Sequence, residues 1–172
     1  MAAAAAGPFS LREVLDAFRR CVTEQREVLL EPYLSGWRGL IRCFLSFRSS
    51  ESFWLLFSPL TCFLPRTVLR LHRALRWLQL FLEGLRSGEP RTSVLCTDAY
   101  NASLAEHHPW VVRKAATVAF CTLPSRDAFL EIMNVGSAEE AVAVLGEAIP
   151  YIGDVYSITQ ELFAQHKLLD LP

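Results

Sequence analysis

The sequence has 172 residues, 52% of them hydrophobic and 20% charged, and its formal net charge is −1. The length allows one domain with a substantial core, and the near-zero charge gives no global field that would favour binding to nucleic acid. Because the hydrophobic fraction exceeds the usual range, we expect a large core, an apolar cavity or contact with a membrane. Three–four periodicity is common and alternating strand patterns are scarce, so we predict an all-α fold.

The chain begins with an apolar run, MAAAAAGP, that has no basic region. We interpret residues 1–8 as a disordered tail and not as a secretion signal. Ser10 is a plausible N-cap for a first helix that extends to Val22. Pro32 interrupts the pattern, and a second helix is predicted over 33–47.

The most apolar run, 53–65, has no clear period. It contains Pro59 and is too short to span a bilayer. We interpret it as a short buried helix or a poorly ordered plug, and we expect a soluble protein that can visit membrane surfaces.

The remaining helices are marked by caps and breaks. Ser137 with Glu140 forms a capping box, Pro109 suits the first turn of a helix, and Pro150 is expected to begin a new one. The predicted helices are 66–85, 92–106, 109–122, a short one closed by Gly136, 137–149, and a last one from Pro150.

Three arginines follow one stripe of the helix over 66–85. Arg66, Arg70 and Arg73 are spaced by four and three residues beside an apolar stripe, so their guanidinium groups can converge. Guanidinium matches phosphate oxygens two at a time, which suits a ligand with an anionic head and a long hydrocarbon body. The alternative is a solvated arginine edge on a bundle helix, as in most charge runs.

The sequence contains no motif for catalysis, a metal or a nucleotide. Its five cysteines are odd in number and lack C-x-x-C spacing, which favours free thiols in a reducing compartment. His107 and His108 are adjacent and cannot easily share one ion. Asp98 and His108 could be drawn with a serine as a triad, but the spacing does not support it. We therefore expect no enzymatic activity, cofactor or metal.

Several ordered motifs carry a resemblance to a known family. They are the arginine helix, YNASL at 100–104, HPWVV at 108–112, AFCTLP at 119–124, the stretch 27–40 and the end, 166–172. Together these stretches resemble the glycolipid transfer protein family, and within it the branch that carries a phosphorylated sphingolipid.

The resemblance implies a two-layer, all-helical sandwich over residues 9–172 that holds one sphingolipid, ceramide-1-phosphate, and transfers it between membranes. Arg66 and Arg70 match the family arginines that bind the phosphate. The sugar-binding branch has a tryptophan at the position of Arg70, so arginine favours phosphate. His108 matches the histidine that binds the ceramide amide. Trp110 matches a membrane-docking residue, although an ordinary core tryptophan is an equal alternative.

The resemblance also implies a place in the cell and a set of partners. A monomer in the cytosol, peripherally and transiently bound to Golgi, endosomal or plasma membranes, is expected, with no nucleic-acid partner.

The segment 48–65 departs from the family pattern. Relatives carry an aspartate and a lysine on an earlier helix, whereas Glu51 is the only acid here and lysine is absent. One or two helices are expected to be missing, as in a splice variant or an altered gene model. This leaves two alternatives to a carrier: a transfer-incompetent, membrane-peripheral regulatory protein, and a helical nucleic-acid binder, against which the near-zero charge weighs.

Overall fold

The computed structural model describes residues 9–46 and 65–171, with side chains described for 9–42 and 68–171. Within these residues it contains seven α-helices, one short 3-10 helix and no β-strand. The helices are α1 (Leu11–Arg19), α2 (Leu30–Ser46), α3 (Pro65–Ser87), α4 (Thr92–Asn101), the 3-10 helix (Ala105–His107), α5 (Trp110–Phe120), α6 (Arg126–Ile132) and α7 (Ala138–Gln165). The all-α prediction is confirmed, whereas the predictions for residues 1–8 and 48–64 lie outside the described residues.

The helices pack in two layers that meet where α3 lies against α7. In one layer α1 packs on α2 and α7, and in the other α4 packs on α3 and α5. Close approach of α1 to α2 requires glycine, because a Cβ atom at Gly39 would lie 2.6 Å from Cγ2 of Val14. The predicted two-layer sandwich is therefore the observed architecture.

The core is built from the apolar stripe of α3 and a cluster of aromatic rings. The predicted stripe is buried at Leu71, Leu75, Leu78, Leu82 and Leu85. The Trp77 ring stacks on Phe81 and Phe120, with centroids 5.9 and 6.2 Å apart. Trp77 Nε1 also donates a hydrogen bond to the carbonyl of Cys96, which satisfies the polar end of a buried indole. These contacts fix α3 against α4 and α5.

The prediction that Pro150 begins a new helix is wrong, because α7 runs unbroken from Ala138 to Gln165. Pro150 is exposed, whereas the apolar residues Ile149 and Ile152 on either side of it are buried. Burial of one continuous stripe thus holds both halves in one helix and outweighs the cost of a proline in the helix interior. The predicted capping box of Ser137 and Glu140 is confirmed at the start of α7.

Helix α7 is also long and apolar enough to cross a membrane, by length and composition alone. Ten of its residues are buried within the domain. It is therefore the central core helix of the sandwich.

Other predicted boundaries shift where a local turn competes with the helix. Helix α1 ends at Arg19, and Val22 instead forms an isolated bridge with Val28 across a tight turn. Ser10 occupies the N-cap position without a side-chain capping bond. Helix α2 begins before Pro32, since a proline in the first turn costs no helical hydrogen bond.

The predicted helix over 92–106 ends early, at Asn101. A turn and the 3-10 helix follow it, and Pro109 is the N-cap of α5 and not a residue of its first turn. The chain therefore bends sharply at His107 and His108, which brings both side chains beside α3.

Candidate functional site

The charges of two arginines on α3 act on the adjacent histidines His107 and His108, at and after the 3-10 helix. Arg70 is exposed and Arg73 is half-buried on α3. Burial lowers the pKa of His108, and the charges of His107, Arg70 and Arg73 lower it further. Arg70 is therefore near enough for its charge to act on His108, and the roles of both residues in lipid binding stay predictions. Arg66 lies one turn earlier on the same helix, but its side chain lies outside the described residues.

His108 is held by a hydrogen bond to a buried tyrosine. The hydroxyl of Tyr100 lies 2.7 Å from Nδ1 of His108, and the Tyr100 ring packs edge-on against Phe120. An imidazole nitrogen is a stronger acceptor than a phenol oxygen, so Tyr100 donates to Nδ1 and the ring proton resides on Nε2. Because the pKa of His108 is lowered, the ring is neutral at neutral pH and offers one N–H donor from Nε2.

Arg73 binds the segment that follows α7 in addition to lying in this cluster. Its Nη2 atom donates to the carbonyls of Leu169, at 2.7 Å, and Leu171, at 3.3 Å. Burial and Arg70 lower the pKa of Arg73, whereas Glu106 and Asp170 raise it. The predicted convergence of the arginine stripe is therefore partial, since Arg73 is already engaged by backbone oxygens.

An apolar hollow of about 220 Å³ lies beside the first turn of α3, at Val68. It is walled by the start of α2, the start of α3, the end of α7 and the segment after α7. The lining residues are Val28, Leu30, Tyr33, Val68, Thr159, Leu162, Phe163, His166 and Leu168. Its volume is below the roughly 300 to 1,000 Å³ of most small-molecule pockets, so the hollow as it stands holds part of a hydrocarbon chain and not two whole chains.

Near the hollow, a second histidine crosses the interface between α3 and α7. The ring of His72 is buried and stacks on Tyr156, with centroids 4.4 Å apart. His72 Nε2 lies 2.6 Å from Oε1 of Gln160, and Nδ1 has no hydrogen-bond partner among the described residues. Burial lowers the pKa of this ring. His72 was not predicted as a site residue, although its spacing of four residues from Val68 and three from Leu75 places it beside the apolar stripe of α3.

Helix α5 exposes an apolar face. Trp110 is 66% exposed, Val111 59% and Val118 68%, and Arg113 and Lys114 are exposed between them. The alternative of a core tryptophan at position 110 is therefore wrong. Large apolar side chains beside basic ones suit a membrane interface. The exposure of Val118 was not predicted.

No role is predicted for Tyr100, which lies within the YNASL motif. Tyr100 and His108 are eight residues apart, which is more than two turns of a continuous helix. Their spacing therefore predicts no contact. The turn that ends α4 at Asn101 brings the hydroxyl and the imidazole together.

The described cysteines differ in exposure. Cys21 and Cys96 are buried and Cys121 is exposed. Burial raises the pKa of the Cys21 thiol to about 12. Among the described residues no group of three His, Cys, Asp or Glu side chains could hold a metal ion.

Several known proteins are similar to this chain over most of its length. A family model described as glycolipid transfer protein (GLTP) matches residues 64–135. Ceramide-1-phosphate transfer protein of Bos taurus is 49% identical over 207 residues, covering 95% of this chain and 97% of that protein. Two solved structures are also similar. Human ceramide-1-phosphate transfer protein in complex with 12:0 ceramide-1-phosphate has a TM-score of 0.85 at 47% identity, covering 95% of this chain and 100% of that one. The apo-form of the mouse protein has a TM-score of 0.83 at 46% identity, with the same coverage.

The match to the Bos taurus protein is longer than the chain itself. It runs over 207 residues, whereas this chain has 172. Because it reaches nearly all of both proteins, the stretch without a counterpart is internal. This agrees with the predicted internal shortening, whereas the location of that shortening around 48–65 stays a prediction.

Proposed function

This chain belongs to the glycolipid transfer protein family, and we propose that it carries ceramide-1-phosphate between membranes. The observation that carries the proposal is that Arg73, three residues after Arg70 on α3, bonds to the carbonyl of Leu169, next to the Leu168 that lines the apolar hollow. The charges of both arginines also act on His108. The arginines and His108 suit an anionic head, and the neighbouring apolar hollow suits a hydrocarbon body.

The head group is bound by charge and by one directed hydrogen bond. Arg70 faces solvent and offers its guanidinium to the phosphate, with Arg66 one turn earlier on α3 as a second cation. The neutral His108 donates from Nε2 to the carbonyl oxygen of the ceramide amide. An arginine at position 70, in place of the tryptophan of the sugar-binding branch, selects phosphate over sugar.

The hydrocarbon part explains why a carrier is needed. Moving a sixteen-carbon chain into water costs on the order of 13 kcal/mol, at about 0.8 kcal/mol per methylene. The hollow lined by Val68, Phe163 and Leu168 supplies an apolar surface for part of such a chain. No covalent bond changes, so the proposed activity uses no catalytic residue, and residues 9–172 act as one monomeric transfer domain.

The membrane is met through the exposed face of α5. Trp110 and Val118 insert at the headgroup boundary while Arg113 and Lys114 stay with the lipid phosphates. Contact is transient, which places the protein in the cytosol and peripherally on Golgi, endosomal or plasma membranes.

The proposal is tested by transfer between vesicles. With labelled ceramide-1-phosphate in donor vesicles, Arg70→Leu and Arg66→Leu should each abolish transfer, because each removes a phosphate ligand. Arg12→Leu changes an exposed arginine of α1 and should transfer as the unaltered protein does. Unchanged transfer by both head-group variants would sink the proposal.

A second candidate is a protein that binds the lipid or a membrane without transferring. The specific observation in its favour is the internal stretch that the Bos taurus relative has and this chain lacks, together with a hollow of only about 220 Å³. Native mass spectrometry of the purified protein distinguishes the two. A co-purifying phosphosphingolipid that leaves when acceptor vesicles are added supports a carrier, and a lipid-free protein supports the second candidate.

A further inference from the structure

We propose that Arg73 is a positioning residue that binds either the 166–171 segment or an anionic lipid head group, but not both at once. Through this choice it links head-group binding to the wall of the apolar hollow. The inference rests on the proposed function for the identity of its ligand, and it adds a coupling between the two halves of the site.

The exclusive choice follows from the geometry of the guanidinium group. An arginine grips an anion with a pair of parallel N–H groups, from Nε and Nη2 or from Nη1 and Nη2. Nη2 belongs to both pairs. In this structure Nη2 gives its hydrogens to the carbonyls of Leu169 and Leu171. Arg73 therefore cannot take a phosphate in the two-point mode while it holds this segment.

The segment that Arg73 holds is part of the hollow. Leu168 lines the hollow directly and is followed at once by Leu169, whose carbonyl is the shorter of the two bonds to Arg73. On its other side, the backbone N–H of Leu168 donates to the carbonyl of Phe163 at 2.9 Å. The wall is thus fixed between the end of α7 and Arg73.

Two backbone bonds close the end of α7, from Leu168 to the carbonyl of Phe163 and from Lys167 to the carbonyl of Ala164. Lys167 has a φ of 54°, the left-handed conformation that this kind of helix end requires and that is unfavourable for a residue with a Cβ atom. Leu168 and Leu169 are each only half-buried. Beyond Leu168, the described bonds are one within the segment, from Leu171 to the carbonyl of Leu168, and the two from Arg73, which tie the segment to α3 through a charged donor.

A head group bound at Arg70 and His108 lies where it can compete for Arg73. Arg70 and Arg73 are three residues apart on α3, so their side chains leave the same face of the helix and one phosphate can reach both. A phosphate carries more negative charge than a backbone carbonyl and makes the stronger bond with guanidinium. When it takes Nη2, the segment is released and Leu168 can leave the hollow, which widens the space for a hydrocarbon chain.

Hydrogen exchange over 166–171 measures the choice directly. In the ligand-free protein, Arg73→Gln should speed exchange of this segment by about tenfold or more, because a hydrogen bond to a charged group is worth roughly 1.5 to 3 kcal/mol. Arg76→Gln is the matched control. Arg76 lies on the same helix and bonds to Gln79 instead, so its variant should leave the segment unchanged.

Ligands supply the second arm. Ceramide-1-phosphate with a two-carbon acyl chain should speed exchange over 166–171 in the unaltered protein and add nothing in Arg73→Gln. Inorganic phosphate, compared with chloride at equal ionic strength, should act in the same direction. Equal exchange in Arg73→Gln and the unaltered protein, or slower exchange with both ligands, overturns the proposal. If the lipid fails to bind in native mass spectrometry while phosphate still speeds exchange, the proposed function fails and the choice made by Arg73 stands.

Discussion

At the scale of single residues, His108 depends on a neighbour for its chemistry. A neutral imidazole has one donor and one acceptor nitrogen, and the partner of one fixes the role of the other. Tyr100 lies 2.7 Å from Nδ1 and is itself held against Phe120. The hydroxyl therefore sets both the orientation of the ring and the tautomer that faces the lipid amide.

Tyr100→Phe should weaken binding of ceramide-1-phosphate about fivefold without unfolding the protein. The variant keeps the aromatic ring and loses one hydrogen bond worth roughly 1 kcal/mol, so His108 divides its proton between Nδ1 and Nε2. Nitrogen-15 NMR of the imidazole should show the Nε2-protonated form in the unaltered protein and a mixture in the variant. Tyr151→Phe, at a ring that packs under Arg19, is the control. An unchanged imidazole spectrum in Tyr100→Phe would rule out this role.

At the scale of elements, α5 carries three of the six large apolar side chains that are exposed among the described residues. Only Ala116, Ala119 and Phe120 are buried, whereas three large apolar side chains are exposed. Small residues let α5 lie close to its neighbours while its outer face stays apolar. The fold can expose such a face to water, and burying it at a bilayer surface lowers the free energy.

Trp110→Ala should weaken binding to phosphatidylcholine vesicles roughly thirtyfold, because about 2 kcal/mol of burial in the interface is lost. Its thermal stability should change little, since a substitution at an exposed site costs at most about 0.5 kcal/mol. Trp110→Phe keeps an apolar ring and should restore most of the binding. A clear fall in the unfolding temperature of Trp110→Ala with unchanged vesicle binding would instead indicate a packing role.

The helices that depend on local sequence were predictable, whereas those that depend on packing between helices were not. The stripe of α3 and the capping box of α7 were correctly predicted because each depends on neighbours in the chain. The continuity of α7 through Pro150 was missed because it depends on burial against α1 and α3, which outweighs the local preference of proline. The bond from Arg73 to Leu169 spans 96 positions, and no local pattern carries that information. Arg70 was found from its spacing on α3 and His108 from the family motifs, whereas the contacts of His72 with Gln160 and of Tyr100 with His108 depend on the packed structure.

At the scale of the whole molecule, three of the four histidines share one property. The pKa values of His72, His107 and His108 are all lowered, in each case first by burial. In His107 and His108 the nearby arginines add to the effect. His72 lies on α3, and arginines of α3 act on His107 and His108. The proposed binding region is therefore also a part of the fold in which protonation of a histidine is unfavourable.

The protein should therefore lose stability in mild acid, and the sign follows from proton binding. Below an ordinary histidine pKa of about 6.5, the unfolded chain takes up protons that the folded state still excludes, so unfolding becomes more favourable as the pH falls. The temperature midpoint of thermal unfolding should decrease as the pH is lowered from 7.5 to 5.5, and the stability should be fully present above pH 6.5.

His72→Phe keeps a ring against Tyr156 and removes one titrating group, so its midpoint should decrease less over the same range. Gln160→Leu removes the hydrogen bond to His72, which raises the pKa of the imidazole, so the midpoint of this variant should fall more steeply over the same range. A midpoint that falls equally in His72→Phe and the unaltered protein would mean that His72 does not contribute, and that the acid sensitivity arises at His107 and His108 alone.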